Sequence, residues 1–208
     1  GLVIAAVVVL AIFYQPLMGM YHTTQLSSFE YKPNMSFDTA TNPGISGFVS
    51  MNEGAIPLLM KNLESEDDNV RVASVVAIGR INPTQNGKDA LLEILKEGSQ
   101  PELRATVWAL VQHKKLMEGE VQEILKSTDK DEVKIACAKY FSRAVDESAA
   151  PLVAKLLKSD NLEVRYEACK TLQNTPHPPA TADIIATVRK FHAAGKKEML
   201  MTACTTLA

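Results

Sequence analysis

The chain has 208 residues, 46% of them hydrophobic, and its 22 basic and 24 acidic residues give a net charge of −2. Residues 1–53 contain one basic and three acidic residues, so the rest of the chain carries 21 of each sign. Proteins that bind nucleic acid need a positive surface to neutralise phosphates, and this balance therefore excludes nucleic acid as the partner.

The sequence begins with a hydrophobic segment. Residues 2–14 are all apolar, and no charged residue occurs before Glu30. A helix that crosses a bilayer needs about 20 such residues, a length that is reached at Met20, and Tyr14 and Tyr21 are aromatic residues of the kind that lie at membrane interfaces. The sequence therefore predicts a transmembrane anchor over residues 1–20, which would contact the lipid bilayer.

Two other interpretations of this segment remain open. A removable signal peptide has a similar apolar length, although no small-x-small cleavage site follows, and it would make the protein a secreted soluble adaptor. A buried helix of the repeat domain would be apolar on all sides. If the segment is a single-pass anchor, the single basic residue of its C-terminal flank, Lys32, favours a non-cytoplasmic location for the rest of the chain, periplasmic or extracellular.

The next segment, residues 21–53, is rich in Thr, Ser, Asn, Pro and Gly and has no sustained hydrophobic period. Long segments of this kind are linkers or binding arms. We therefore expect an extended polar arm, ordered against a partner protein through the aromatic residues Phe29, Tyr31 and Phe37.

A motif of one apolar and one basic residue recurs through the remaining chain at intervals of 33, 30 and 31 residues, and a looser copy follows 35 residues later. Apolar residues at helical spacing precede and follow each copy, and a polar turn separates the two stretches. This period predicts about five helical hairpins over residues 54–208. The copies are Val70-Arg71, Leu103-Arg104, Val133-Lys134, Val164-Arg165 and Met199-Leu200.

These residues resemble the HEAT-like repeat family, in which leucines on a first helix precede an Asp or Asn turn and a Val-Arg pair on a second helix. The resemblance implies an all-α, armadillo-type α-solenoid over residues 54–208. Proteins of this family serve in scaffolding, transport and regulation, and a few are enzymes. The residues that carry the resemblance are Ile56-Pro57-Leu58-Leu59, Leu63, Asn69-Val70-Arg71-Val72-Ala73 and Ala77-Ile78-Gly79.

The basic residue of each motif has two possible roles. It could contribute to a positive binding stripe, but the resemblance favours a structural ladder with acidic residues in the turns of neighbouring repeats. We expect the ladder for Arg71, Arg104, Lys134 and Arg165. The single tryptophan, Trp108, lies on a second helix, where it is a core residue or, if exposed, a partner-binding residue.

Residues that carry chemistry show no convergent pattern in this sequence. Cys137, Cys169 and Cys204 occupy apolar positions on successive second helices, without CxxC or zinc spacing. The four histidines are scattered, and no His-Glu pair of the kind that binds di-iron in HEAT-repeat hydroxylases occurs. The sequence therefore predicts no catalytic site, no metal and no cofactor.

Together, these features favour a non-catalytic scaffold or accessory subunit of a membrane protein complex, which binds other protein subunits through its solenoid and arm. The alternatives are an enzyme similar to the HEAT-like phycobilin lyases and the secreted adaptor.

Overall fold

The computed structural model of the protein describes residues 14, 16–82, 84–114, 117 and 119–207. These residues form helices and connecting turns, and no strand occurs among them. The chain divides into two compact units, unit 1 (Gly1–Leu116) and unit 2 (Met117–Ala208).

The described part of unit 1 contains α1 (16–26), α2 (Pro43–Met51), α3 (Ile56–Asn62), α4 (Asp68–Arg80), α5 (Gln85–Glu97) and α6 (Gln100–Gln112). The described part of unit 2 contains α7 (Glu120–Ser127), α8 (Asp131–Ala144), α9 (Ala150–Leu156), α10 (Leu162–Asn174), α11 (Thr181–Ala193) and α12 (Lys197–Thr205).

The predicted helical repeats are confirmed as hairpins. The pairs α3 and α4 and α5 and α6 pack together in unit 1, and unit 2 contains the pairs α7 and α8, α9 and α10, and α11 and α12. Each copy of the repeated motif lies near the start of the second helix of its pair. These second helices pack on one another, α4 on α6 in unit 1 and α8 on α10 and α10 on α12 in unit 2. Each hairpin thus buries its apolar stripe against its neighbours.

Side-chain caps mark the starts of second helices. A capping box is present at Ser99, whose amide donates to Glu102 Oε2 at 2.7 Å. In α10 the cap is Asn161, whose Oδ1 accepts from the amide of Glu163, and not the preceding Asp160. The Asp160 side chain is instead fully exposed and pairs with a lysine of α11, because it lies one residue too early to reach the helix amides.

Residues 21–53 contain two helices and do not form the expected extended arm. Helix α1 continues to residue 26, and α2 packs against α4, so that α1 and α2 form an additional hairpin at the first repeat. The two helices approach closely at glycines that the sequence presents as loop residues. A Cβ atom on Gly44 would lie 2.6 Å from the carbonyl oxygen of His22, and one on Gly47 would lie 2.0 Å from the His22 ring.

The predicted transmembrane anchor over residues 1–20 falls largely outside the described residues, which begin at Tyr14. The last five residues of that prediction belong to α1. Within the part of the chain that the structure describes, no helix combines the length and the apolarity needed to cross a membrane.

The cysteines differ in burial, although the sequence predicts all three in the core. Cys137 and Cys169 are buried, whereas Cys204 is exposed on α12. All three are free thiols. Burial raises the pKa of the Cys137 thiol and of the Cys169 thiol to about 12, so neither forms the reactive thiolate near neutral pH.

We predict that thiol alkylation of the folded protein near neutral pH modifies Cys204 alone, and that Cys137 and Cys169 react after unfolding in guanidinium. Peptide mass spectrometry with and without denaturant measures the outcome. Modification of Cys137 at the rate of Cys204 in the folded protein would contradict the burial described above.

The contact between α4 and α6 gives a stability prediction. A Cβ atom on Gly79 would lie 2.6 Å from Ala109 Cβ and 3.0 Å from Ala109 Cα, whereas one on Gly87 in α5 would meet its nearest atom, Thr84 Oγ1, at 3.3 Å. We expect Gly79→Ala to lower the free energy of unfolding by about 1–3 kcal/mol through overpacking. The control Gly87→Ala should be neutral or stabilising by up to about 1 kcal/mol through helix propensity.

Urea unfolding followed by circular dichroism at the helix bands measures both changes. Equal stabilisation by the two substitutions would show that α4 and α6 do not approach as closely as the structure places them.

Candidate polypeptide-binding surface

The segment that joins α1 to α2, residues 29–42, lies over the second helices of unit 1 and is named the strap. It has no regular secondary structure. Its anchors are Phe29 and Phe37, each only 4% exposed. The strap is thus a stretch of irregular polypeptide that α4 and α6 hold in place.

Two arginines bind the main chain of the strap. Arg80 Nη2 donates to the carbonyl oxygens of Phe37 at 2.8 Å and Ala40 at 2.6 Å. Arg104 donates through Nη1 to the carbonyl of Lys32 at 3.1 Å and through Nη2 to that of Met35 at 2.6 Å. Since carbonyl groups occur in every residue, these four bonds recognise the path of the backbone rather than a particular sequence.

Aromatic side chains fix the register of the strap. The Phe37 and Trp108 rings lie 6.0 Å apart between centroids, and the Arg104 guanidinium stacks 5.2 Å from the Phe37 ring and 6.0 Å from the Tyr31 ring. Trp108 Nε1 donates to Asp38 Oδ1 at 2.9 Å. The side chains of the strap therefore add specificity to the main-chain contacts.

Charge complementarity between Arg80 and Asp38 also supports the contact between the strap and the second helices. Burial lowers the pKa of the Arg80 guanidinium, and the neighbouring Asp38 carboxylate opposes that shift. Asp38 faces both Arg80 and the indole donor of Trp108, so one acidic side chain compensates part of the cost of burying the arginine.

The structure brings together the residues for which the sequence suggests partner binding, but it does so within one chain. Phe29, Phe37 and Trp108 are buried, and Tyr31 is half-buried. The Phe37 ring contacts those of Tyr31 and Trp108, and the Tyr31 amide donates to Asn69 of α4. Their apolar surface is therefore already covered by the protein itself.

The expected ladder of basic residues is largely replaced by bracing of single turns. Arg71 and Arg165 donate to the carbonyls of Ser65 and Ser159, each six residues earlier. Lys134 likewise donates to the carbonyl of Asp129 at 3.0 Å. These carbonyls lie in the turn just before each helix.

Among these basic residues, only Arg71 pairs with an acidic residue of a neighbouring repeat in the described part of the chain. Arg71 pairs with Glu102 of the neighbouring repeat at 3.3 Å, as well as with Asp68 of its own turn. Arg104 belongs to no ladder, because its guanidinium binds the strap.

The second helices of unit 2 present a polar surface. Glu167 of α10 is buried between Lys139 of α8 at 3.9 Å and Lys170 at 3.3 Å, and Lys170 Nζ lies 5.3 Å from the centre of the Tyr166 ring. The Tyr166 hydroxyl donates to Glu198 of α12 at 3.3 Å. Lys139, Tyr166 and Lys170 remain half-exposed, and their partners lie on these three helices.

Sequence reasoning missed Arg80 as a binding residue, although its position recurs. Arg80 stands ten residues after Val70, and Arg143 stands ten residues after Val133. Arg143 is exposed near the end of α8 and has no partner among the described residues. This repeated offset of ten residues is the pattern from which Arg80 could have been found.

Among the described residues, no group of three or more His, Cys, Asp or Glu residues is placed to hold a metal ion.

Comparisons with known proteins support the fold. No family model matches the sequence, and no curated protein matches it. A crystal structure of an engineered protein is similar at 18% identity and a TM-score of 0.50, over 91% of this chain and 87% of that one. A designed armadillo repeat protein in complex with the peptide (KR)4 is similar at 19% identity and a TM-score of 0.49, over 90% and 97%.

The repeated hairpins and the first of these likenesses define the class of the chain, which is an all-α helical repeat protein of the α-solenoid type. At this level of identity the likeness concerns the fold alone.

We predict that Arg104→Gln loosens the strap, because the substitution removes the charge from two hydrogen bonds to strap carbonyls and from the stacking on Phe37. Hydrogen bonds to charged groups contribute about 1.5–3 kcal/mol each when buried, and Arg104 is half-buried, so we expect roughly tenfold faster chymotryptic cleavage after Phe37. Mass spectrometry of a digestion time course measures this rate.

The matched control is Arg189→Gln, at an exposed arginine of α11 that has no partner among the described residues. Unchanged cleavage after Phe37 in Arg104→Gln would show that the two carbonyl bonds do not hold the strap.

Proposed function

We propose that this protein is a non-catalytic scaffold that binds a polypeptide segment of a partner protein on the second helices of unit 2. The observation that carries the proposal is the strap. In unit 1 the second helices already hold a stretch of irregular polypeptide, through arginine bonds to its carbonyls and aromatic contacts to its side chains.

The second helices of unit 2 carry donors of similar kinds, and among the described residues no irregular segment like the strap is held on them. We define the unit 2 surface by Lys139, Arg143, Tyr166, Lys170 and Gln173, on α8 and α10. Lys139 and Lys170 share the single buried Glu167, and Arg143 has no partner among the described residues. The three cations on this surface thus outnumber the two carboxylates in contact with it, Glu167 and the Glu198 that accepts from Tyr166.

This excess of positive charge favours a partner segment with acidic side chains. Its carbonyl groups would accept from Arg143 and the lysines, and a carboxylate would compete with Glu167 for Lys139 or Lys170. The half-exposed Tyr166 ring offers an apolar contact beside these cations, as Phe37 and Trp108 do for the strap.

We further propose that the scaffold works at a membrane, as an accessory subunit of a membrane protein complex. The support is the apolar run at residues 2–14 and the absence of charged residues before Glu30. The scarcity of basic residues after this run supports a non-cytoplasmic location for the repeats.

Site-specific photo-crosslinking in the native cell tests the scaffold proposal. A benzophenone amino acid replaces Lys170 on the unit 2 surface, and a matched variant carries it at Lys155, which is exposed on the first helix α9. We expect a crosslinked partner from position 170 and none from position 155. We also expect the charge reversal Lys139→Glu to abolish the crosslink, because it removes a cation that attracts the partner.

Mass spectrometry of the crosslinked peptide identifies the partner segment and shows whether it is acidic. Equal crosslinking from positions 170 and 155 would refute the assignment of this surface.

A further inference from the structure

Helix α1 has two different faces. Its inner face packs on unit 1, where Gly19 lies against Leu58 of α3, His22 contacts Phe48 of α2, and Leu26 is fully buried. The contact at Gly19 is close, since a Cβ atom there would lie 2.4 Å from Leu58 Cδ1. This face is therefore covered by the rest of unit 1.

The outer face of α1, taken together with the helical residue Tyr14 just before it, exposes four large apolar side chains, Tyr14 at 59%, Leu17 at 62%, Met20 at 72% and Tyr21 at 57%. Among the described residues, nine large hydrophobic residues are exposed, so nearly half of them lie on this face. Residues 14, 17 and 21 are spaced to share one side of a helix.

Polarity changes sharply along the same face. After Tyr21, the exposed residues are Thr24, Ser27 and Ser28, whose hydroxyls donate to carbonyls of the helix itself. Toward the N-terminus, the face leads in sequence into the apolar residues 2–13. The apolar surface therefore has a defined boundary between residues 21 and 24.

We infer that the outer face of α1, formed by Tyr14, Leu17, Met20 and Tyr21, lies in the interface of a lipid bilayer. The inference rests on the proposed membrane location, and it gives these residues a different role from that of the end of a transmembrane helix. Because the inner face of α1 contacts α3, lipid cannot surround these residues, as it would surround the end of a transmembrane helix. They contact the bilayer from one side only, with the first hairpin against the membrane surface.

The composition of this face fits a bilayer interface. Tyrosine has an apolar ring and a polar hydroxyl, which suits it to the boundary between acyl chains and head groups. No charged residue occurs between residues 14 and 29, so immersion of this face buries no charge of α1 itself. The serines and threonine beyond Tyr21 would lie in water.

Fluorescence quenching on reconstituted protein tests the inference. The background is the full chain with Cys204→Ser, in which the two remaining thiols are buried. Leu17→Cys and Tyr21→Cys place a fluorescent label on the outer face, and Ser27→Cys is the control beyond its boundary. Each labelled protein is reconstituted with phosphatidylcholine vesicles and isolated by flotation, after circular dichroism has shown an unchanged helical fold.

We expect nitroxide-labelled lipids to quench the labels at positions 17 and 21 several-fold more strongly than the label at 27, and aqueous iodide to show the reverse order. Strong iodide quenching at 17 and 21 in floated protein would overturn the inference and leave the membrane location intact. Protection of both positions from both quenchers would also overturn it, because protein would then cover the face.

Failure of the full chain to float with vesicles is a separate result. It would refute the membrane location in the proposed function, and the inference with it, but not the binding of a partner by unit 2.

Discussion

A helical hairpin can bury its apolar stripe only against another hairpin, and the rest of this structure depends on that constraint. The second helices α4 and α6 meet so closely at Gly79 that no side chain fits between them. At the first repeat, the neighbour is supplied by α1 and α2, which pack on the array through Gly19 of α1 against Leu58 and through α2 against α4. The strap connects α1 to α2, and its path crosses the surface of α4 and α6 to which it binds.

The repeated part of the fold is predictable from sequence because its period depends on local patterns. Each hairpin needs an apolar stripe, a polar turn and a start signal for the second helix, and these are visible within about 30 residues. The N-terminal hairpin is not predictable in this way. Its helices contain Gly44 and Gly47, which local propensity assigns to loops, and only the close approach of His22 explains them.

The candidate surface was only partly predictable, for a related reason. Trp108 and Phe37 attract attention as aromatic residues, but the sequence does not show that they contact each other across 71 residues of chain. The same holds for the basic residues of the repeats. Arg71 and Arg104 occupy equivalent sequence positions, yet one braces its own turn and the other binds the strap. The difference arises from the nearest available carbonyl, which is a tertiary property.

The strap is joined to a packed helix at each end, and this tethering makes the two units unequal. A segment held within the same chain competes with any free peptide at an effective concentration on the order of millimolar. A partner segment of ordinary affinity therefore cannot displace it from α4 and α6. Under the proposed function, the second helices of unit 2 are then the surface left for a partner among the described residues, so repetition of a binding motif in sequence does not by itself give several open binding surfaces.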